Sequence, residues 1–420
     1  MLTVAVAACA KIANIPSYAL DDGGTTPAID ASVGSGSGSA CEPWGSAGCV
    51  TALVAGYHRT CAIAGGNLYC WGNTPGDGGS AANTPQPIAK GVEIVSASTD
   101  TVAPTGVGVT CFASAGQLQC WGDGGDAQQE GNTSTVVPAI LATPIAPTQI
   151  GVGADHVCAS TITSVSCWGA TDFNQVGSNY FDAAPCETGA CSATPSQVYL
   201  DTTIDQIAAG LSHTCAHDAT GAVSCWGLDG DGQLGNGMTG SGYADDALSK
   251  IFTTADNIVQ ISAGNTTTCA VVSGGAWACW GAGGTGQLGD GEMHDADTPM
   301  FTATETFTAI SVGTSSVCGL TVTGEVDCWG DNSTGVSGSS FVDMQENAPK
   351  PKGITNAKLI AVGNDHACAA LTTGDIECWG EAYEGALGTG TAMYASCPNT
   401  SSSVQCTATP QLVLSPASPF

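Results

Sequence analysis

Residues 210–227 read GLSHTCAHDATGAVSCWG, and GQLG follows at 232–235. Two features decide the reading. Cys215 is followed ten residues later by Cys225, which runs directly into Trp226-Gly227, and Gly221 lies between them. Working outward, the same pattern recurs seven times. Cys61 pairs with Cys70, Cys111 with Cys120, Cys158 with Cys167, Cys215 with Cys225, Cys269 with Cys279, Cys318 with Cys328 and Cys368 with Cys378. Each second cysteine is followed by Trp-Gly, at Trp71, Trp121, Trp168, Trp226, Trp280, Trp329 and Trp379. Successive Cys-Trp-Gly triplets lie 50, 47, 58, 54, 49 and 50 residues apart, a period that belongs to propeller blades.

The spacing within each pair is that of a β-hairpin. At nine residues, the midpoint of Cys61 and Cys70 falls on Gly65-Gly66, a two-residue loop that needs positive φ. At ten, the midpoint falls one residue before Gly221, Gly324 or Gly374, where a three-residue loop needs a left-handed glycine. Both arrangements put the cysteines opposite each other on antiparallel strands. Their Cβ atoms then lie about 4.5–5.5 Å apart, close enough to bridge. Each bridge closes a short loop and stabilises by about 2.5 kcal/mol on the chain-entropy estimate.

Two more strands flank each hairpin. In the fifth copy, 258–264 precedes the strands 268–271 and 276–280. An outer strand follows after a long loop, usually opening on Thr-Pro, as at Pro85, Pro195, Pro299 and Pro410; an outermost strand tolerates proline because one edge is unpaired. The expected fold is all-β: a seven-bladed β-propeller of four-stranded blades, with one hairpin disulfide per blade. Seven Trp residues at one strand position read as packing between neighbouring blades rather than as a ligand cage.

These motifs resemble the regulator-of-chromosome-condensation repeat family, whose repeat runs roughly Gly-x-x-His-Thr-x-Ala, Gly-x-x-x-x-Trp-Gly and Gly-Gln-Leu-Gly. Gly210, His213, Thr214, Ala216, Gly221, Trp226 and Gly227 match the first two parts. Gly232-Gln233-Leu234-Gly235 and Gly286-Gln287-Leu288-Gly289 match the third, and Gly385-Ala386-Leu387-Gly388 is a weaker copy. The resemblance covers roughly residues 50–415 and implies a seven-bladed propeller. The paired cysteines depart from the family and point to an extracytoplasmic bacterial branch. The eukaryotic namesake's roles, nucleotide exchange on a small GTPase and docking on chromatin, do not carry over to so acidic a chain. Secreted bacterial relatives include a β-lactamase inhibitory protein that binds through loops on one propeller face. A secreted protein inhibitor of a hydrolase is therefore the alternative to a non-enzymatic recognition or scaffold propeller, and an enzyme is the third reading.

The formal net charge is −30, with only seven Lys and Arg residues. No basic stripe can be assembled to release counterions from phosphates, so nucleic acid is excluded as a partner, and anionic membrane surfaces are disfavoured. A protein or glycan on the cell surface or in the medium remains. The chain carries 21 cysteines and no Cys-x-x-Cys, so disulfides in an oxidising compartment are the reading, not zinc or iron–sulfur ligands. Fourteen sit in the hairpins. Six more form close pairs: Cys41 with Cys49, Cys186 with Cys191 and Cys397 with Cys406.

Cys9 remains, in Val6-Ala7-Ala8-Cys9, which looks like a lipobox. Lipidation there would make an outer-surface lipoprotein; removal would leave a secreted one. Residues 1–9 are read as a signal or lipobox remnant, 10–40 as a flexible Gly/Ser/Asp-rich linker and 41–420 as the propeller. The strand at 409–414 is expected to pair onto the first blade and close the ring. No stretch is long enough for a transmembrane helix.

No catalytic residue and no metal site emerges. The chain has no Gly-x-Ser-x-Gly elbow, His-Glu-x-x-His helix or phosphate loop. His156, His213 and His366 share one repeat position and read as loop residues that hydrogen-bond backbone, since their blades do not converge. Asp-Gly turns at 123–126, 229–232 and Asp331-Asn332 offer oxygen ligands that suit Ca²⁺, yet none completes a calcium loop, and turn chemistry accounts for them. Loops that depart from the repeat are the better candidates for binding. They carry Phe173, Tyr180 and Phe181 in the third copy, Tyr243 in the fourth, and Tyr383 and Tyr394 in the seventh. All follow the Cys-Trp-Gly strand, so they should emerge on one side of the ring.

Overall fold

The computed structural model describes residues 49–73, 81–98, 108–122, 135–141, 146–161, 164–177, 184–185, 190–200, 202–238, 244–253, 256–302, 305–398 and 404–416. Seven antiparallel sheets form seven blades, and the chain lays down each blade from the inside outward. The first blade comprises Val50–Gly56, Arg59–Ala64, Asn67–Gly72 and Ala82–Lys90; the seventh comprises Ala357–Val362, His366–Leu371, Ile376–Glu381 and Cys406–Leu412. The third blade adds a two-residue fifth strand, Ala184–Pro185, beyond its Ala190–Val198 strand. The first strands of all blades line a central channel of about 190 Å³.

The expected closure by strand exchange does not occur. Cys406–Leu412 pairs with Ile376–Glu381 inside its own blade, and the first blade already holds four strands. The strand count explains this: each hairpin has one strand before it and one after it, so none is spare. The ring closes instead by side-by-side packing of Val50–Gly56 against Ala357–Val362.

In every blade the two hairpin cysteines are direct cross-strand partners. Disulfides join Cys61 to Cys70, Cys111 to Cys120, Cys158 to Cys167 and Cys215 to Cys225. They likewise join Cys269 to Cys279, Cys318 to Cys328 and Cys368 to Cys378. All seven pairs hold their Cα atoms 4.1 Å apart, as expected of closely approaching antiparallel residues. The turns match the spacing. Gly65 and Gly66 take φ of 58° and 76°, and Gly221, Gly324 and Gly374 take 90°, 85° and 96°. Cys397 bonds Cys406. Cys49 and Cys191 are also disulfide-bonded, while Cys41 and Cys186, their expected partners, and Cys9 lie outside the described residues.

Alternation along a strand explains the Cys-Trp dipeptide. Neighbouring residues point to opposite faces, so the cysteine and the tryptophan serve different seams. Each Trp enters one core cluster with both hairpin cysteines of the preceding blade. Trp121 lies with Cys61 and Cys70, Trp168 with Cys111 and Cys120, and Trp226 with Cys158 and Cys167. Trp379 lies with Cys318 and Cys328. Trp71 lies with Cys368 and Cys378, so the closing seam is built like the others. All seven Trp are at most 1 % exposed. The Gly-Gln-Leu-Gly loop completes the joint: Gln233 O accepts the Trp280 indole N–H at 2.9 Å, and Gln287 O accepts that of Trp329 at 2.9 Å.

Proline sits where the outer strand bulges rather than at its start. Opposite the Trp, the outer strand carries three residues where one would pair: Cys70 faces Gln86, but Gly72 faces Ala82. Pro85 is the last of those three, and Pro138, Pro195, Pro299, Pro349 and Pro410 hold the same position in other blades. A bulge removes the ladder hydrogen bond that proline cannot make.

Candidate recognition face

Antiparallel order puts the turn between first and second strands on the same rim as the loop between third and fourth strands. The disulfide hairpins turn on the opposite rim. The first rim therefore carries the irregular loops, as the sequence implies. Six of the thirteen exposed large apolar side chains among the described residues lie there: Met238 in blade four, Met293 in blade five, Val342 and Met344 in blade six, and Tyr383 and Met393 in blade seven. Met393 is 84 % exposed and Val342 83 %. Four of the six methionines of the chain belong to this rim. Sequence reading singled out aromatics and passed over these methionines, although each lies in a loop that departs from the repeat.

The aromatic candidates behave differently from one another. Tyr383 is exposed and packs edge-on to His58 at 5.0 Å. Tyr394 is half-buried, donates its hydroxyl to Thr389 Oγ1 at 2.9 Å and packs on the core of the closing seam. Phe173 is half-buried in the turn that Gln175 Oε1 closes by accepting the Phe173 N–H. Tyr180, Phe181 and Tyr243 lie outside the described residues. The structure therefore brings Tyr383 to the seam between the seventh and first blades, and Phe173 to the third blade.

That seam brings together, among the described residues, three side chains able to hold a metal ion. Ligand atoms of His58, Asp365 and Glu381 lie within 4.8 Å of one another. Tyr57 stacks on His58 at 4.2 Å, and Glu384 Oε2 approaches His58 Nδ1 at 3.8 Å. Burial pushes Glu381 up to about 8, and the neighbouring Asp365 and Glu384 add to the effect. Burial holds His58 down to about 4, so its ring is neutral at pH 7. His58 and Glu384 both adopt left-handed backbone, φ 48° and 52°.

His156, His213 and His366 are not loop residues bonded to backbone. Each opens a second strand and is fully buried. Each Nε2 hydrogen-bonds the threonine hydroxyl of the following blade: His156 with Thr214 at 2.7 Å, His213 with Thr268 at 2.9 Å and His366 with Thr60 at 2.7 Å. The threonine hydroxyl also lies within hydrogen-bond reach of a loop carbonyl, as Thr214 does of Gln175 O at 3.3 Å. Arg59 plays the same part toward Thr110, at 2.6 Å. Where the following blade offers Val157, Val317 or Ala367 instead, the bridging position holds Val109, Thr267 or Ser316. Thr267 and Ser316 then bond carbonyls of their own blade. These histidines join neighbouring blades.

The described Asp-Gly turns use their carboxylates on the turn itself. Asp229 Oδ1 accepts the Leu234 N–H, and Asp331 accepts from the Ser333 backbone and hydroxyl. Residues 123–126 lie outside the described residues. No helix among the described residues is long and apolar enough to cross a membrane.

The regulator of chromosome condensation (RCC1) repeat model matches residues 204–233 and 307–336. Human WBSCR16 has a similar fold: TM-score 0.68 at 17 % identity, over 83 % of this chain and 94 % of that one. Prp20p from Saccharomyces cerevisiae, described with its binding properties to Gsp1p and histones, gives TM-score 0.63 at 18 % identity over 83 % and 86 %. Yeast RCC1 (Prp20) bound to Kap60 gives 0.63 at 17 % over 83 % and 83 %. At these identities the likeness is one of fold.

Proposed function

Taking the chain as an RCC1-like propeller, we propose that it is a non-enzymatic recognition scaffold that captures a protein partner through the irregular-loop rim. The carrying observation is the set of exposed apolar side chains on that rim, led by Met238, Met293, Met344, Tyr383 and Met393. Methionine is flexible and polarizable, so a surface rich in it adapts to an irregular partner. Tyr383 adds an aromatic anchor on a frame stiffened by disulfides, which lowers the entropy cost of binding. The chain's charge of −30 favours a partner with basic groups at its rim. Protein fits this apolar rim better than glycan does. Tyr180, Phe181 and Tyr243 follow the Cys-Trp-Gly strand in sequence and are proposed as further contacts.

Seven buried bridges are the chemistry of an oxidising, extracytoplasmic environment. Within it, lipidation of Cys9 and the 10–40 linker would tether the ring to a cell surface. Mass spectrometry of the native N-terminus tests the tether, and an unmodified Cys9 ends it. The binding reading is tested by capture from native envelope with disulfides intact. Replacing Met238, Met293, Met344 and Met393 by Ser, together with Tyr383→Ala, should abolish capture at unchanged melting temperature. Undiminished capture by that variant rejects this rim as the binding surface.

A further inference from the structure

We propose that His58, Asp365 and Glu381 bind a divalent transition cation, of the Zn²⁺ or Mn²⁺ class, that clasps the first blade to the seventh. The three ligand atoms converge within 4.8 Å from two blades more than 300 residues apart in the chain. Glu381 is buried, and His58 and Asp365 are half-buried. One imidazole with two carboxylates is a donor set for zinc or manganese; calcium would take oxygen alone.

Two further observations point the same way. Glu384 Oε2 is inaccessible to solvent, has no hydrogen-bond partner and faces His58. Blade three carries the same Asp-His dipeptide, and there Asp155 closes on His156 Nδ1 at 2.9 Å. In blade seven a carboxylate oxygen of Asp365 instead lies within 4.8 Å of His58 and Glu381, and His366 Nδ1 has no hydrogen-bond partner. Because no strand is exchanged at this seam, a cation here does by coordination what strand exchange does in other rings.

The test is calorimetric titration of the full oxidised chain, stripped with EDTA and dialysed free of it, with ZnCl₂ and separately MnCl₂. One-to-one binding of at least one metal and a melting temperature that rises with it are expected. Glu381→Gln keeps the size and polarity of the side chain, so it should fold normally and lose the titration; His58→Gln should lose it too. His294→Ala, which removes the exposed pair with Asp290, should keep it. No binding by the wild type overturns the proposal, as does binding that survives Glu381→Gln.

Discussion

His366 Nε2 lies 2.7 Å from Thr60 Oγ1, across 306 residues of sequence. It is the same contact that His156 makes to Thr214 within the ring, at the same distance. In both, the threonine hydroxyl also reaches a loop carbonyl 3.3 Å away, Ala386 O in one case and Gln175 O in the other. The last blade therefore recognises the first by the rule that joins interior blades, and the ring closes by repetition of one joint.

The glycine three residues before each of these histidines is a packing requirement. A Cβ on Gly210 would lie 2.2 Å from His213 Cε1 and 2.3 Å from Gly264 O. Gly210→Ala should destabilise by about 1–3 kcal/mol through overpacking. Gly230→Ala meets nothing within 4 Å and should be within about 0.5 kcal/mol of wild type. Urea denaturation of the two variants checks the contrast.

Acid should weaken the fold through the same histidines. Burial holds His213 and His366 down to about 3. Unfolded histidine binds its proton near 6.5, so between about 3 and 6.5 the unfolded chain binds more protons and stability falls as pH falls. At pH 4.5 the loss is on the order of 2 kcal/mol for each histidine. Urea melts at pH 7 and 4.5 should show a smaller pH-dependent loss in a His213→Gln, His366→Gln double variant. An unchanged slope would show that these rings do not carry the effect.

Each hairpin bridge stabilises its own blade and the face on which the next Trp rests. Replacing Cys269 and Cys279 together by Ala removes the bridge beneath Trp329. The loss should reach about 2.5 kcal/mol or more, the chain-entropy contribution plus a cavity. Chemical denaturation measures it, and Trp329 fluorescence should shift to the red at lower denaturant.

Buried Lys352 gives a second pH signature, opposite in range. Its ammonium donates to Gly335 O and Gly338 O and lies 5.6 Å from the Trp379 ring, and burial lowers it to about 7. From about 7 to 10.5 the unfolded lysine holds its proton more firmly, so this group makes stability rise with pH across that window. Lys352→Met should flatten that rise in urea melts at pH 7 and 9.

Much of this architecture is legible along the chain, because each blade is local. The Cys spacing specifies the hairpins, and Gly221 or Gly65-Gly66 specifies the turn. What joins blades is not local. His213 precedes Thr214 in sequence, yet bonds Thr268, and no pattern within one repeat shows that. His58, Asp365 and Glu381 meet only because the ring brings its ends together. Pro410 opens no spare strand at the C-terminus; it marks the bulge that every outer strand carries, which local sequence does not distinguish from a strand start. The rim methionines carry no periodicity, so exposure alone identifies them.

The most direct test of ring closure is the stability of Thr60→Val against that of Thr214→Val. Each leaves one buried histidine Nε2 without its hydrogen-bond partner, at a cost of about 1–3 kcal/mol. If the seventh blade docks on the first as interior blades dock on each other, urea denaturation gives equal losses for the two variants. A full loss for Thr214→Val with none for Thr60→Val would mean that the seam is open in solution, and would contradict the closed ring.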